Sequence, residues 1–114
     1  MALPRKHRLT QKEFAELFAS GRRVRGASCS LQFRITGSGN AKFGVSVRSA
    51  VAPKATVRNR IRRTVTEAVR PLVPRFSPGT WVAAVIHSPA HRDAPQRYGD
   101  EIAGLLRKSG IITP

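Results

Sequence analysis

The chemistry of this chain concentrates in one stretch, Lys54-Ala55-Thr56-Val57-Arg58-Asn59-Arg60-Ile61-Arg62-Arg63, which carries five cations and meets no acid before Glu67. On a helix, Arg58 and Arg62 stand one turn apart, as do Arg60 and Arg63, and each such like-charge pair opposes helix formation by a few tenths of a kcal/mol. An ordinary solvated helix face mixes acids with bases. A face built almost wholly of arginine offers planar guanidinium forks that bind phosphate bidentately and stack on bases, so the expected ligand is a phosphodiester backbone. The whole chain agrees: 21 Lys+Arg against 6 Asp+Glu give a net charge of +15, and smaller clusters stand at Arg5-Lys6-His7-Arg8 and Arg22-Arg23-Val24-Arg25. No helix-turn-helix, zinc-finger or zipper pattern is present, which favours RNA over DNA.

Residues that could run a reaction are sparse. Asp93, Asp100 and Glu101 fall on or near one predicted helix, with no carboxylate from distant sequence to pair with them, whereas a self-sufficient two-metal nuclease needs such a cluster. His7, His87 and His91 are isolated, and Ser88 lies in no Gly-x-Ser-x-Gly context. His87, His91 and Asp93 would hold a metal loosely at best, because Pro89 breaks any helical register between the two histidines. Gly37-Ser38-Gly39 is a turn with no helix after it, so it is not a phosphate loop. Cys29 is the single cysteine. It rules out an intramolecular disulfide, reads as a small strand residue, and suits a reducing compartment, the cytoplasm. No apolar run is long enough to span a membrane and the first nine residues lack the core of a signal peptide, so no membrane partner is expected.

The elements that must position the basic stretch follow from periodicity. Residues 9–21 read as a helix with Thr10 as cap, Glu13 three residues later as in a capping box, and Gly21 as stop; Phe14, Leu17 and Phe18 share one face. Such a stripe is ordinarily core. Residues 24–35 read as a half-buried strand with Leu31, Phe33 and Ile35 on one side and Gln32, Arg34 and Thr36 on the other. After the turn formers at 37–40, Phe43, Val45 and Val47 alternate with Gly44, Ser46 and Arg48, and the two strands are expected to form an antiparallel hairpin. Residues 54–69 form the basic helix, with Val57, Ile61, Val65, Ala68 and Val69 on its apolar face and Pro71 as its stop. The continuous apolar run at 79–86 suits a central strand buried on both faces. Tyr98, Ile102, Leu105 and Leu106 give a last helix within 90–110 that Gly110 ends. The order α-β-β-α-β-α predicts a two-layer α/β sandwich on a mixed sheet of three or four strands, one RNA-binding domain over residues 1–114.

The basic stretch, with Glu67 beyond it, resembles the arginine-asparagine-arginine helix of the protein subunit of bacterial ribonuclease P. The resemblance extends to the basic N-terminus with Leu9, the Phe14 to Phe18 helix ending in Gly21, the strand with Phe33, Gly44-Val45-Ser46-Val47, the Trp81 strand and the final helix. It implies a sandwich like that of ribosomal-protein domains, with an unusual left-handed β-α-β crossover around the basic helix, against the common right-handed rule. It also implies an accessory role. In that family the catalytic subunit is RNA, which uses magnesium to remove the 5′ leader of precursor tRNA, while the protein assists by holding leader and RNA. For this chain the expectation is a monomer in a 1:1 ribonucleoprotein with no cofactor of its own, magnesium serving the holoenzyme.

By the same resemblance, Lys54, Arg58, Asn59, Arg60, Arg62 and Arg63 are expected to meet the catalytic RNA. Phe14, Phe18 and Phe33 are expected to line a cleft for single-stranded leader, with Ser46 and Arg48 close by. Arg48-Ser49-Ala50 stands where the family often has a lysine pair, so charge there is reduced. The alternative reading is a ribosomal or general RNA-binding protein with no catalytic complex.

Overall fold

The computed structural model describes residues 3–112. The first helix, α1 (Gln11–Ser20), starts as its sequence dictates: the Thr10 hydroxyl accepts from the Glu13 N–H at 3.2 Å, and the Glu13 carboxylate accepts from the Thr10 N–H at 2.8 Å. Two donors that a helix start would leave orphaned are thereby satisfied. Four strands and two further helices follow in the order β1 (Arg22–Arg25), β2 (Cys29–Ile35), β3 (Lys42–Val47), α2 (Ala55–Val69), β4 (Thr80–Ile86) and α3 (Gln96–Lys108).

Two expectations about the strands need correction. The stretch 24–35 is not one strand: it breaks at residues 26–28, and β1 folds back antiparallel on β2 with Arg22 opposite Phe33 and Arg25 opposite Ser30. Nor do β2 and β3 pair with each other. The four strands lie in the order β1-β2-β4-β3, with β4 antiparallel to β2 and parallel to β3, so the sheet is mixed and β4 is central. The turn after β2 is real, with Gly37 and Gly39 at positive φ, but it opens to receive the start of β4. Gly79 donates to the Gly39 carbonyl at 3.2 Å and its own carbonyl accepts from the Thr36 N–H at 3.3 Å. A Cβ at Gly79 would lie 2.1 Å from the Ser38 carbonyl oxygen, so only glycine fits this wedge.

Alternation then splits the sheet into two faces. Cys29, Leu31 and Phe33 from β2, Phe43, Val45 and Val47 from β3, and Val82, Ala84 and Ile86 from β4 form the floor of the main core. Over it lie Ile61, Val65 and Val69 of α2 and Tyr98, Ile102, Leu105 and Leu106 of α3. The two helices approach closely, since a Cβ on Gly99 would sit 2.7 Å from Ala68 Cβ. Pro71 ends α2 as expected, but the chain continues in 3-10 turns over Arg70–Arg75. Gly110, at φ 80°, closes the last helical segment.

One charged group ties the helix layer to the sheet edge. Glu101 of α3 accepts from the Ser28 N–H at 2.9 Å, the Ser28 hydroxyl at 2.6 Å and the Cys29 N–H at 2.8 Å. Burial alone would push its carboxyl up, yet these three donors outweigh that and hold it below the usual carboxylate value.

Candidate nucleic-acid interface

Helix α2 presents its cations as the sequence implies. Its apolar stripe is spent on the core, which turns Asn59, Arg60 and Arg63 fully outward and leaves Arg58 and Arg62 half-buried; Lys54, exposed, is the N-cap. Arg58 is committed to its own backbone, donating to the carbonyls of Ala52 at 2.8 Å and Pro53 at 2.7 Å, so it braces the turn that starts the helix. Arg62 donates to the Asn59 side-chain oxygen. Among the described residues no ion pair includes Lys54, Arg60, Arg62 or Arg63. The face is therefore a concentration of positive charge that no ion pair among the described residues neutralises at these four cations, the arrangement that draws in a polyanion.

The second face of the sheet carries Ser30, Gln32 and Arg34 of β2, Trp81, Ala83 and Val85 of β4, and Lys42, Gly44 and Ser46 of β3. Helix α1 covers part of it. Leu17 is fully buried there, and Phe14 lies so close over Gly44 that a Cβ would sit 2.4 Å from its ring. Two ion pairs pin the helix down, Glu13 to Lys42 at 2.5 Å and Glu16 to Arg34 at 3.4 Å. Burial would raise the Glu13 carboxyl, but Lys42 and the Thr10 cap together hold it below its ordinary value. Arg34 and Lys42 also flank the Trp81 ring, 4.7 and 5.2 Å from its centre.

The rest of that face is open. Phe18 is 47% exposed and tilts against Phe14 with ring centres 5.9 Å apart. Beside it a cavity of about 370 Å³ has Ser30, Gln32, Ser46 and Val85 as its floor and Arg23 and Arg48 at its ends. A smaller hollow of about 280 Å³, bounded by Phe14, Phe18, Ser46 and Arg62, leads from the phenylalanine pair to α2. Arg62 thus belongs both to the basic helix and to the cleft. Lys54 and Arg60 line a separate hollow with Arg92 and Asp93.

Of the residues expected in the cleft, Phe14, Phe18, Ser46 and Arg48 come together. Phe33 does not: it is 2% exposed and faces α2 and α3 in the main core, because it shares the alternation of Leu31. The expectation that it lines the cleft is corrected. Sequence reasoning passed over Arg23 and Gln32, although Gln32 stood on the polar side of the β2 alternation and so signalled its face.

The remaining candidate groups do not assemble. Glu101 is bound to the β1–β2 turn and Asp93 borders the hollow by Arg60, and among the described residues no three His, Cys, Asp or Glu side chains gather as metal ligands. Cys29 is buried, and burial pushes its thiol up to about 12, far from a reactive thiolate. No helix among the described residues is long and apolar enough to cross a membrane.

Comparison with known proteins agrees with this geometry. The family model described as Ribonuclease P matches residues 3–110. The ribonuclease P protein component of Picosynechococcus is 30% identical over 113 residues, covering 98% of this chain and 97% of its own length. That of Xanthomonas oryzae is 32% identical over 110 residues, covering 96% of this chain and 74% of the relative. Two solved structures share the fold. The Staphylococcus aureus RNase P protein superposes with a TM-score of 0.79 at 15% identity, over 94% of this chain and 98% of that one. The Thermotoga maritima protein gives 0.75 at 21% identity, over 89% and 96%. With the family model matching residues 3–110 and a relative 30% identical along nearly the whole of both chains, this chain belongs to the ribonuclease P family.

Proposed function

We propose that, as the protein subunit of ribonuclease P, an endoribonuclease of tRNA processing, this chain binds two RNA segments on adjoining surfaces. The outer face of α2, with Lys54, Asn59, Arg60, Arg62 and Arg63, takes the backbone of the catalytic RNA. Arg58 contributes by fixing the turn from which that helix starts. The cleft beneath α1 takes the single-stranded 5′ leader of precursor tRNA, which stacks on Phe18 and the edge of Phe14 and meets Ser46 and Arg48. Stacking on an aromatic ring tolerates any base, as a leader of variable sequence requires, and contributes about 1–3 kcal/mol per base.

The single observation that carries this reading is the continuity of the two surfaces at Arg62, which borders the phenylalanine pair while standing on the basic helix. Cutting falls to the catalytic RNA and its magnesium. The cleft's donor set, made of hydroxyls, an amide and guanidinium groups, does not suit a magnesium ion, which asks for carboxylates and waters. The protein's part is to hold and orient. It acts as one copy to one catalytic RNA, and in the cytoplasm, whose reducing conditions suit a lone cysteine kept as a buried thiol.

Two measurements test the assignment. Cleavage of precursor tRNA by the catalytic RNA at low magnesium should rise sharply when the protein is added; no stimulation would identify a general RNA-binding protein instead. Replacing Arg60, Arg62 and Arg63 together by alanine should flatten the salt dependence of catalytic-RNA affinity by roughly 2–3 log-log units, at about 0.7–0.9 per phosphate. A triple variant that keeps both slope and affinity removes α2 from the interface.

A further inference from the structure

Three arginines on β1 take no part in the function described above. Arg22, Arg23 and Arg25 sit within a four-residue edge strand, all exposed, and among the described residues none of them joins an ion pair. Like charges so close together repel unless an anion meets them. The strand's alternation sorts them into two kinds. Arg22 stands opposite Phe33, with its guanidinium 5.4 Å from that ring's centre, so it covers apolar surface on the helix side of the sheet. Arg23 and Arg25 stand opposite Gln32 and Ser30, on the cleft side.

The cleft therefore does not stop at β2. Arg25, Ser30, Val85 and Ser46 form one row in register across all four strands. At about 4.8 Å per strand, that row spans roughly 14 Å from edge to edge. Arg48, just past β3, and Arg23, on β1, close the cavity at its two ends, and Phe18 offers its ring between them. On the floor, the Gln32 side-chain oxygen is buried and makes no hydrogen bond among the described residues.

Resting on the assignment of this cleft to the leader, we infer that the leader crosses the sheet transversely, from the α2 side to β1, and that Arg23 and Arg25 hold phosphates at its far end. The footprint of the protein on its substrate is then the full width of the sheet. Arginine suits this position because its fork grips a phosphate from a solvent-exposed strand while leaving base identity unread. An acidic protein strand is a poorer fit, since the two side chains rise from the sheet face beside an aromatic ring and not from the strand edge that backbone pairing would use.

The test uses the holoenzyme reconstituted with the catalytic RNA and precursor tRNAs whose leaders lengthen one nucleotide at a time. Wild-type affinity should climb with leader length and level off once the strand has passed β1. The R23A/R25A double variant should level off about one or two nucleotides sooner and bind long-leader substrate about tenfold more weakly. Its affinity for short-leader substrate and for the catalytic RNA alone should match wild type. R22A, an in-strand control, should keep the wild-type length profile, and R23K/R25K, which keeps charge but loses the fork, should fall between. Thermal unfolding of each variant confirms that the strand still forms.

A climbing wild-type profile that R23A/R25A leaves intact overturns this inference alone. Equal weakening at every leader length overturns it in favour of a general electrostatic field, and weaker binding of the catalytic RNA overturns it by giving these arginines to the other subunit. A wild-type profile flat in leader length overturns the leader assignment itself, and this inference with it.

Discussion

The two faces of the sheet are built from the same strands, residue by alternate residue, yet they answer to different demands. The helix-side face is apolar from Leu31 and Phe33 to Val82 and Ile86, with Arg22 and Thr80 as its polar members toward one end, and α2 and α3 cover it. The other face mixes Ser30, Gln32, Arg34, Lys42 and Ser46 with Trp81 and Val85, and α1 covers only part of it. Packing on one side supplies the cooperativity of the fold, and that leaves the other side free to keep unpaired polar groups and an exposed aromatic. A one-residue slip of any strand would exchange the two sets, so the hydrophobic pattern that sets the register also aims the functional side chains.

The sharpest way to break this contrast is to cut the same residue type on each face. Phe33→Ala removes a fully packed ring and should cost about 3–5 kcal/mol of stability, read as a drop in Tm, with the leader-length dependence of the folded fraction unchanged. Phe18→Ala removes a ring that is half in water. Its stability should stay near wild type, while affinity for leader-bearing substrate falls by about 1–3 kcal/mol and affinity for the leaderless form holds. A Phe33→Ala protein that folds normally but loses leader discrimination would return Phe33 to the cleft and dissolve the distinction between faces.

Glu101 probes the seam between them. It crosses from α3 to the turn that places β1, so Glu101→Gln, which loses acceptor capacity against three donors, should destabilise by about 1–3 kcal/mol at neutral pH. Because the folded carboxyl titrates below its unfolded value, its contribution is whole above the ordinary carboxylate range and is lost as the pH falls through that range toward the depressed folded value. Wild type and variant should therefore differ most near neutrality and converge in acid, checked by urea unfolding across pH. A gap that stays constant into acid would mean that the carboxylate's charge is not what the turn uses.

Much of this was legible from residue order because the relevant signals are local. The Thr10 and Glu13 capping box, the Ile61, Val65 and Val69 stripe and the Gly110 stop each depend on neighbours within a turn or two. Strand partnering is not local. The turn formers at 37–40 announce a reversal, but nothing within them says that Gly79, forty residues on, will enter the loop and seat β4 between the two strands. Hairpin rules assume that adjacent strands pair, and here a continuous apolar strand gains more from two neighbours than the hairpin gains from one. The misplaced Phe33 teaches the opposite lesson. Its alternation with Leu31 put it in the core, and a family likeness drew it toward the cleft; period two was the better guide.

The smallest expected effect tests how the open face keeps its cover. Helix α1 is ten residues long, too short to be stable by itself, and buries one side chain fully, so it holds through its start and its two ion pairs. Thr10→Ala deletes the hydroxyl that the Glu13 N–H uses, and should lower the local stability of α1 against fraying by about 1 kcal/mol. Glu13 should lose part of its hold on Lys42 at the same time, because the capping box positions the carboxylate that makes both contacts. Since the core on the helix side does not involve Thr10, global Tm should move little while amide exchange in α1 accelerates by several-fold. Leader affinity should fall in step with that exchange, because Phe14 and Phe18 ride on the loosened helix. Should exchange in α1 stay as slow as in α2, the first helix is held by the sheet alone, and the cleft owes its shape to Leu17 and Gly44.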